Sequence, residues 1–132
     1  MLLETLVQAN TLIGIVDDDP DIILAVSSLV RSFGYEVECF HSAAALLRRF
    51  NFEDFLCIIS DFQMPSMNGL ELAKALLDLE PNLPVILMTG EKELNLERMA
   101  HASGAISVVA KPFSFDEIGA HLNKAVSHRS RG

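Results

Sequence analysis

Cysteine is scarce in this chain. There are two in 132 residues, Cys39 and Cys57, each inside an apolar run, and no C-x-x-C spacing exists. A disulfide framework is neither indicated nor needed at this length, and the pair reads as reduced, buried thiols. Basic charge is also short. Ten Lys and Arg face 18 Asp and Glu, a formal net charge of −8. That argues against direct nucleic-acid binding, which wants a basic face, and favours divalent cations or basic partner surfaces. No apolar run approaches the ~20 residues of a membrane span. The opening Met1-Leu2-Leu3-Glu4-Thr5-Leu6 lacks the positive start and small-residue cleavage site of a secretory signal. The expected setting is therefore cytoplasmic, with no membrane attachment. Repeats, low-complexity stretches and linkers are missing from residues 11–127. Half of the residues are apolar, too many for a disordered chain, and the length suits one domain with a real core.

Five short apolar runs recur, at 12–16, 35–40, 55–59, 84–88 and 105–110. The first, third and fourth barely alternate, as strands buried on both faces do. The second alternates, with Tyr35, Val37 and Cys39 against Glu36 and Glu38, which suits an edge strand. Helical spacing fills the gaps. Ile22, Ile23, Val26, Leu29, Val30 and Phe33 lie on one helical face, with Gly34 placed to close the helix. Leu46, Leu47 and Phe50 follow Ser42, and Leu70, Ala73, Leu76 and Leu77 precede Pro81. The fourth helix, about 92–102, has scattered anchors, and the fifth opens on the capping box Ser114 and Glu117, with Phe113 and Ile118 spaced as a hydrophobic staple. Alternating strands and helices imply parallel pairing with right-handed crossovers. The expectation is an α/β fold, a doubly wound five-stranded parallel sheet with helices on both faces.

Ligands of such sheets bind beyond the carboxyl ends of the strands. There the sequence places Asp17-Asp18-Asp19 after the first strand, Ser60-Asp61 after the third, Thr89-Gly90-Glu91 after the fourth and Lys111-Pro112 after the fifth. Asp19 and Pro20 are accounted for as an N-cap and a first helical residue. Asp17 and Asp18 are not, and adjacent carboxylates repel unless a cation offsets them. Asp61 adds a third carboxylate if its strand adjoins the first. Three carboxylates without His or Cys select a hard cation with oxygen ligands, and Mg2+ shared with a phosphate fits best. Lys111 supplies a positive charge opposite them for a phosphoryl oxygen. Thr89 gains its weight from position, and Gly90 beside it would let backbone approach a ligand.

These pieces together resemble the receiver domain of bacterial two-component response regulators. The matching stretches are Ile15-Val16-Asp17-Asp18-Asp19-Pro20, the run from Ile59 through Asp61 and Met64-Pro65 to Gly69-Leu70, Leu87-Met88-Thr89-Gly90, and Lys111-Pro112-Phe113. The resemblance implies a flavodoxin-like (CheY-like) (βα)5 fold with strand order 2-1-3-4-5. It implies Asp61 as phospho-acceptor, with Thr89 and Lys111 bonding the phosphoryl oxygens. Mg2+ would be held by Asp18, Asp61 and the Gln63 backbone carbonyl, with Asp17 acting through a bound water. The donor would be a sensor histidine kinase or histidine phosphotransfer protein. The switched surface would be the fourth helix, fifth strand and fifth helix, acting on an output partner or domain, with phosphorylation-dependent homodimerisation a further family habit. Such a chain catalyses only its own phosphorylation and dephosphorylation, so it is a switch and not a turnover enzyme. Gln63 and Glu91 occupy the positions that tune phosphoryl lifetime in the family.

One position departs from the pattern. Receivers usually carry Tyr or Phe three residues before the lysine, and here that residue is Val108. A β-branched side chain is stiff at χ1 and too short for the inward swing of a ring. Signalling is therefore expected to rely on backbone movement around residues 89–91 and on the fourth helix. A haloacid-dehalogenase-like phosphatase with Asp17 as nucleophile is the rival reading. It puts Asp21 where a Thr or Val is usual, lacks the later acidic pair and leaves Asp61 idle. The expected organisation is an N-terminal extension at 1–10, the receiver at 11–127, and a basic tail or linker start at 128–132.

Overall fold

A computed structural model describes residues 11–49, 51–90 and 95–131. Five parallel strands, β1 (Leu12–Val16), β2 (Glu36–Phe40), β3 (Phe55–Asp61), β4 (Val85–Thr89) and β5 (Ser107–Ala110), form one sheet in the order β2-β1-β3-β4-β5. Between them run α1 (Pro20–Ser32), α2 (Ala43–Leu47), α3 (Gly69–Leu79), α4 (Leu96–Ser103) and, last, α5 (Phe115–Arg131). A short 3-10 turn, Phe52–Asp54, leads into β3. The expected fold class and strand order are those found. The alternating second strand is indeed at an edge.

Side-chain alternation along the strands divides the core in two. Ile13, Ile15, Cys57, Ile59, Ile86, Met88 and Val109 point to one face, against Val26 and Val30 of α1 and Ile118 and Leu122 of α5. Val16, Ile58, Val85 and Leu87 point to the other, against Leu46, Leu72, Leu76 and Ala100 of α2, α3 and α4. All seven residues of β3 are buried, which is why this strand reads as an unbroken apolar run. Both cysteines are free thiols, Cys57 fully buried and Cys39 half-buried.

Helix ends follow their local chemistry. Asp19 caps α1 by accepting from the Asp21 N–H, with Pro20 opening the helix, and Gly34 closes it at φ 93°. Ser42 caps α2, and Asn68 with Glu71 forms a reciprocal capping box on α3. The Ser114 and Glu117 box is likewise made, at 3.0 and 3.1 Å.

Several boundaries differ from the sequence expectation, among them the starts of β2 and β5, at Glu36 and Ser107 and not at 35 and 105. β3 runs on to Asp61, because the ladder to β4 continues to the Asp61–Met88 pair. β4 starts one residue later than 84–88, since Pro84 has no N–H to donate, and ends one later because Thr89 pairs with Ala110. The stretch 128–131, read as a basic tail, continues α5. Arg129 there is nearly buried and reaches around the end of the sheet to the Glu80 carboxylate at 3.1 Å and the Glu53 carbonyl at 3.2 Å. Glu80 ends α3 on the opposite face, so this one side chain joins the two helical layers. The expected extension at 1–10 lies outside the described residues.

Candidate functional site

β1, β3, β4 and β5 each fix a polar side chain at one edge of the sheet, on the strand's last residue or the one after it. Asp17 directly follows β1, with its N–H donating to the Phe40 carbonyl at 3.1 Å. Asp61 ends β3, and the next N–H, from Phe62, is tied to the Met88 carbonyl at 2.8 Å. Thr89 ends β4 opposite Ala110, and its carbonyl accepts from the Lys111 N–H at 2.7 Å. Lys111 follows β5, before a cis peptide bond to Pro112. The central position of β1 and β3 brings Asp17 and Asp61 together.

The three carboxylates Asp17, Asp18 and Asp61 can each offer an oxygen such that all lie within 4.8 Å of one another. Asp17 is 1% exposed and Asp61 7%, whereas Asp18 faces solvent. Lys111 Nζ sits 2.9 Å from Asp61 Oδ1 and 3.3 Å from Asp17 Oδ2, so it bridges the two buried acids. The other oxygen of Asp17 accepts from the Asp19 N–H at 2.9 Å. Burial pushes the Asp17 carboxyl above its usual range, with the neighbouring Asp61 charge adding to the rise. The Asp19 N–H and the Lys111 ammonium oppose it without reversing it. For Lys111 burial acts downward, but the hydrogen bond and charge of Asp61, then Asp17, prevail and hold it above the ordinary lysine value. One half-buried ammonium thus faces two buried carboxylates and a third at the surface. This donor set, oxygen-only and over-supplied with negative charge, is chemically suited to a hard divalent cation.

Gly69 explains how the loop after β3 closes on the site. Its φ is not positive. A Cβ there would stand 2.5 Å from the Asp61 carbonyl oxygen and 2.9 Å from Leu87 Cδ2, and its own N–H donates to the Phe62 carbonyl at 2.9 Å. Close packing, not turn geometry, demands the glycine. Gly90, by contrast, faces open space.

The remaining expected site residues divide. Thr89 is 5% exposed at the same sheet edge. Gln63 lies on the exposed loop two residues beyond Asp61. Val108 is in β5, half-buried against the α2–α3–α4 side of the core, paired with Leu87. Glu91 lies outside the described residues. Sequence reasoning passed over the Asp19 N–H as a partner of Asp17. Ser60, placed at this edge by the sequence but given no role there, is a fully buried hydroxyl that donates to the Asp61 carbonyl at 3.0 Å.

The response regulator receiver domain family model matches residues 13–123. This chain belongs to that family. It is 38% identical over 108 residues to the response regulator protein TodT of Pseudomonas putida, covering 82% of this chain and 48% of TodT. Over 117 residues it is 32% identical to NtrC of Escherichia coli, described as a DNA-binding transcriptional regulator, covering 89% of this chain and 25% of that one. The receiver thus spans about half the length of TodT. Among solved structures, the CheY-like receiver of Methanospirillum hungatei superposes with a TM-score of 0.82 at 28% identity, over 92% of this chain and 98% of its own. CheY4 of Vibrio cholerae does so at 0.81 and 29%, over 89% and 99%. The rival phosphatase reading has no support in these relationships. No helix among the described residues of the receiver is long and apolar enough to cross a membrane.

Proposed function

We propose that this receiver accepts a phosphoryl group on Asp61, in an Mg2+-dependent reaction, from a sensor histidine kinase or histidine phosphotransfer protein. The observation that carries the reading is Lys111 Nζ bridging Asp61 and Asp17 at 2.9 and 3.3 Å beside a third carboxylate. A phosphoryl group needs a nucleophile, a charge to meet its oxygens and a site that excludes most water. Asp61 is the nucleophile, buried and held at the end of a strand whose every residue is buried. Lys111 moves its ammonium from the free carboxylates to an incoming phosphoryl oxygen, and the Thr89 hydroxyl at the same edge bonds another. Asp17, Asp18, Asp61 and the Gln63 carbonyl are the groups that would hold Mg2+. When bound, it supplies positive charge against the carboxylates and the phosphoryl oxygens. The Asp19 N–H fixes Asp17, leaving its second oxygen for the site.

Gln63 and Glu91 set how readily water reaches the phosphoryl group, and thereby its lifetime. The receiver catalyses only its own modification and reset. The unit is residues 11–127, and its switched surface is α4, β5 and α5, which acts on an output partner or domain in the cytoplasm and supports homodimerisation when phosphorylated. Because Val108 replaces a ring, the change passes through the backbone at 89–91 and α4. Incubation with Mg2+ and acetyl phosphate, followed by intact mass measurement, tests the assignment. One phosphoryl adduct, lost on chelation of Mg2+ and in Asp61→Asn, is expected. Steady turnover of a phosphate ester without an adduct would sink it.

A further inference from the structure

A cleft of about 630 Å³ opens beside Asp18, between α2 and the loop joining β3 to α3. We propose that it is a leaving-group subsite, selecting acyl phosphates whose acyl group is larger and more apolar than acetyl. The inference rests on Asp61 being the phospho-acceptor.

Three observations meet here. The first is position. Asp18 lines the cleft and also belongs to the carboxylate cluster around Asp61. A donor with its phosphoryl group at Asp61 has this cleft as an adjoining cavity. The second is lining. Leu47, Met64 and Met67 form half-buried apolar walls, and methionine adapts its shape to irregular apolar groups. The volume lies within the range of small-molecule sites, which are mostly apolar with a few placed polar groups. The third is charge. His41 and Arg48 stand exposed on the rim. Neither has an ion-pair partner among the described residues, in a chain of net charge −8. An acyl phosphate releases a carboxylate, the anion that such a rim favours.

The step balances without a co-reactant. An Asp61 carboxylate oxygen forms the new bond to phosphorus. The bond from phosphorus to the acyl oxygen breaks, and its electron pair leaves on the departing carboxylate. No proton, oxidant or reductant is required.

The test compares acetyl phosphate with benzoyl phosphate at equal, low concentration with Mg2+, timing the adduct by intact mass. The ratio of the two rates is compared between the native chain and two variants, so that intrinsic donor reactivity cancels. Ala44→Phe fills the cleft from an exposed position of α2, and Arg48→Gln removes the rim charge. In the native chain the ratio should favour benzoyl phosphate by roughly tenfold more than in Ala44→Phe, the scale of apolar-pocket discrimination. Ala44→Phe should leave the acetyl phosphate rate unchanged, whereas Arg48→Gln should slow both donors, since both release a carboxylate at the rim. In metal-free protein, benzoate alone should shift the backbone amide resonances of residues 43–48, 64, 66 and 67. A ratio unchanged in Ala44→Phe overturns the proposal, as do rates unaltered in Arg48→Gln or a benzoate titration that leaves those amides unmoved. No adduct from either donor overturns the phospho-acceptor assignment and the subsite with it. Equal ratios in a chain that does form the adduct overturn the subsite alone.

Discussion

Asp17 carries an electrostatic cost in the site. Its carboxylate is buried, close to a second one, and shares a single ammonium with it. A neutral isostere relieves that repulsion and burial cost while keeping the acceptor for the Asp19 N–H. Asp17→Asn is therefore expected to stabilise the metal-free chain by about 1 kcal/mol and to weaken the stabilisation that added Mg2+ confers. Thermal midpoints with and without Mg2+ check both halves. A destabilised metal-free variant would contradict the charge account. Gly69 is the second residue with a sharp expectation. A methyl there meets the Asp61 backbone oxygen at 2.5 Å, and backbone cannot step aside as a side-chain tip does. Gly69→Ala should cost about 1–3 kcal/mol as overpacking and displace the acceptor. Denaturant unfolding measures the first effect, and phosphorylation rate the second.

At the scale of elements, α5 is tied to the edge strand by polar contacts no periodicity announces. His121 Nδ1 is 2.9 Å from the Ser107 hydroxyl, and Lys124 Nζ donates to the Ile106 carbonyl at 2.9 Å. Burial, then the neighbouring Lys124 charge, holds the His121 imidazole below its ordinary value of 6.5, with Glu117 opposing. The folded chain thus binds fewer protons here than the unfolded one. Stability contributed by neutral His121 is present above 6.5 and falls as pH drops through the window just below it. Substitution His121→Asn should flatten that part of the stability–pH curve, as read from denaturant midpoints at about pH 7 and pH 5.5. An identical slope in both proteins would refute it.

The elements themselves were largely legible in the residues. Unbroken apolar runs marked β1, β3 and β4 because those strands are covered on both faces, and caps marked the starts of α1, α2 and α5 because Asp19, Ser42 and Ser114 answer a purely local need; the Asn68 cap of α3 was not among them. Strand ends were less legible. Whether Asp61 lies in β3 or after it depends on β4, a neighbour distant in sequence. The site's residue types and positions were readable because strand ends in a parallel sheet converge. That Lys111 bridges two acids, or that Arg129 reaches Glu80, depends on tertiary distance and left no trace in spacing.

The molecule as a whole concentrates its charge. Asp17, Asp18, Asp19, Asp21 and Asp61 with Lys111 account for −4 of the net −8, at one edge of the sheet. The remainder is only mildly acidic. A phosphoryl group at that edge changes the balance locally, and the change must travel to be read. With Val108 packed against the α2–α3–α4 side, the expected route is the β4–α4 connection. Comparing free and phosphorylated chains by amide hydrogen exchange should show altered protection at residues 95–102. Unchanged exchange there with altered exchange on a distant face would defeat this route.

The account's central claim is that Asp61, and not Asp17, carries the phosphoryl group. Borohydride reduction of the phosphorylated chain converts a phosphoaspartate to homoserine, which peptide mapping then locates. The prediction is homoserine at position 61 and none at 17. Homoserine at 17, or at neither position, would contradict it.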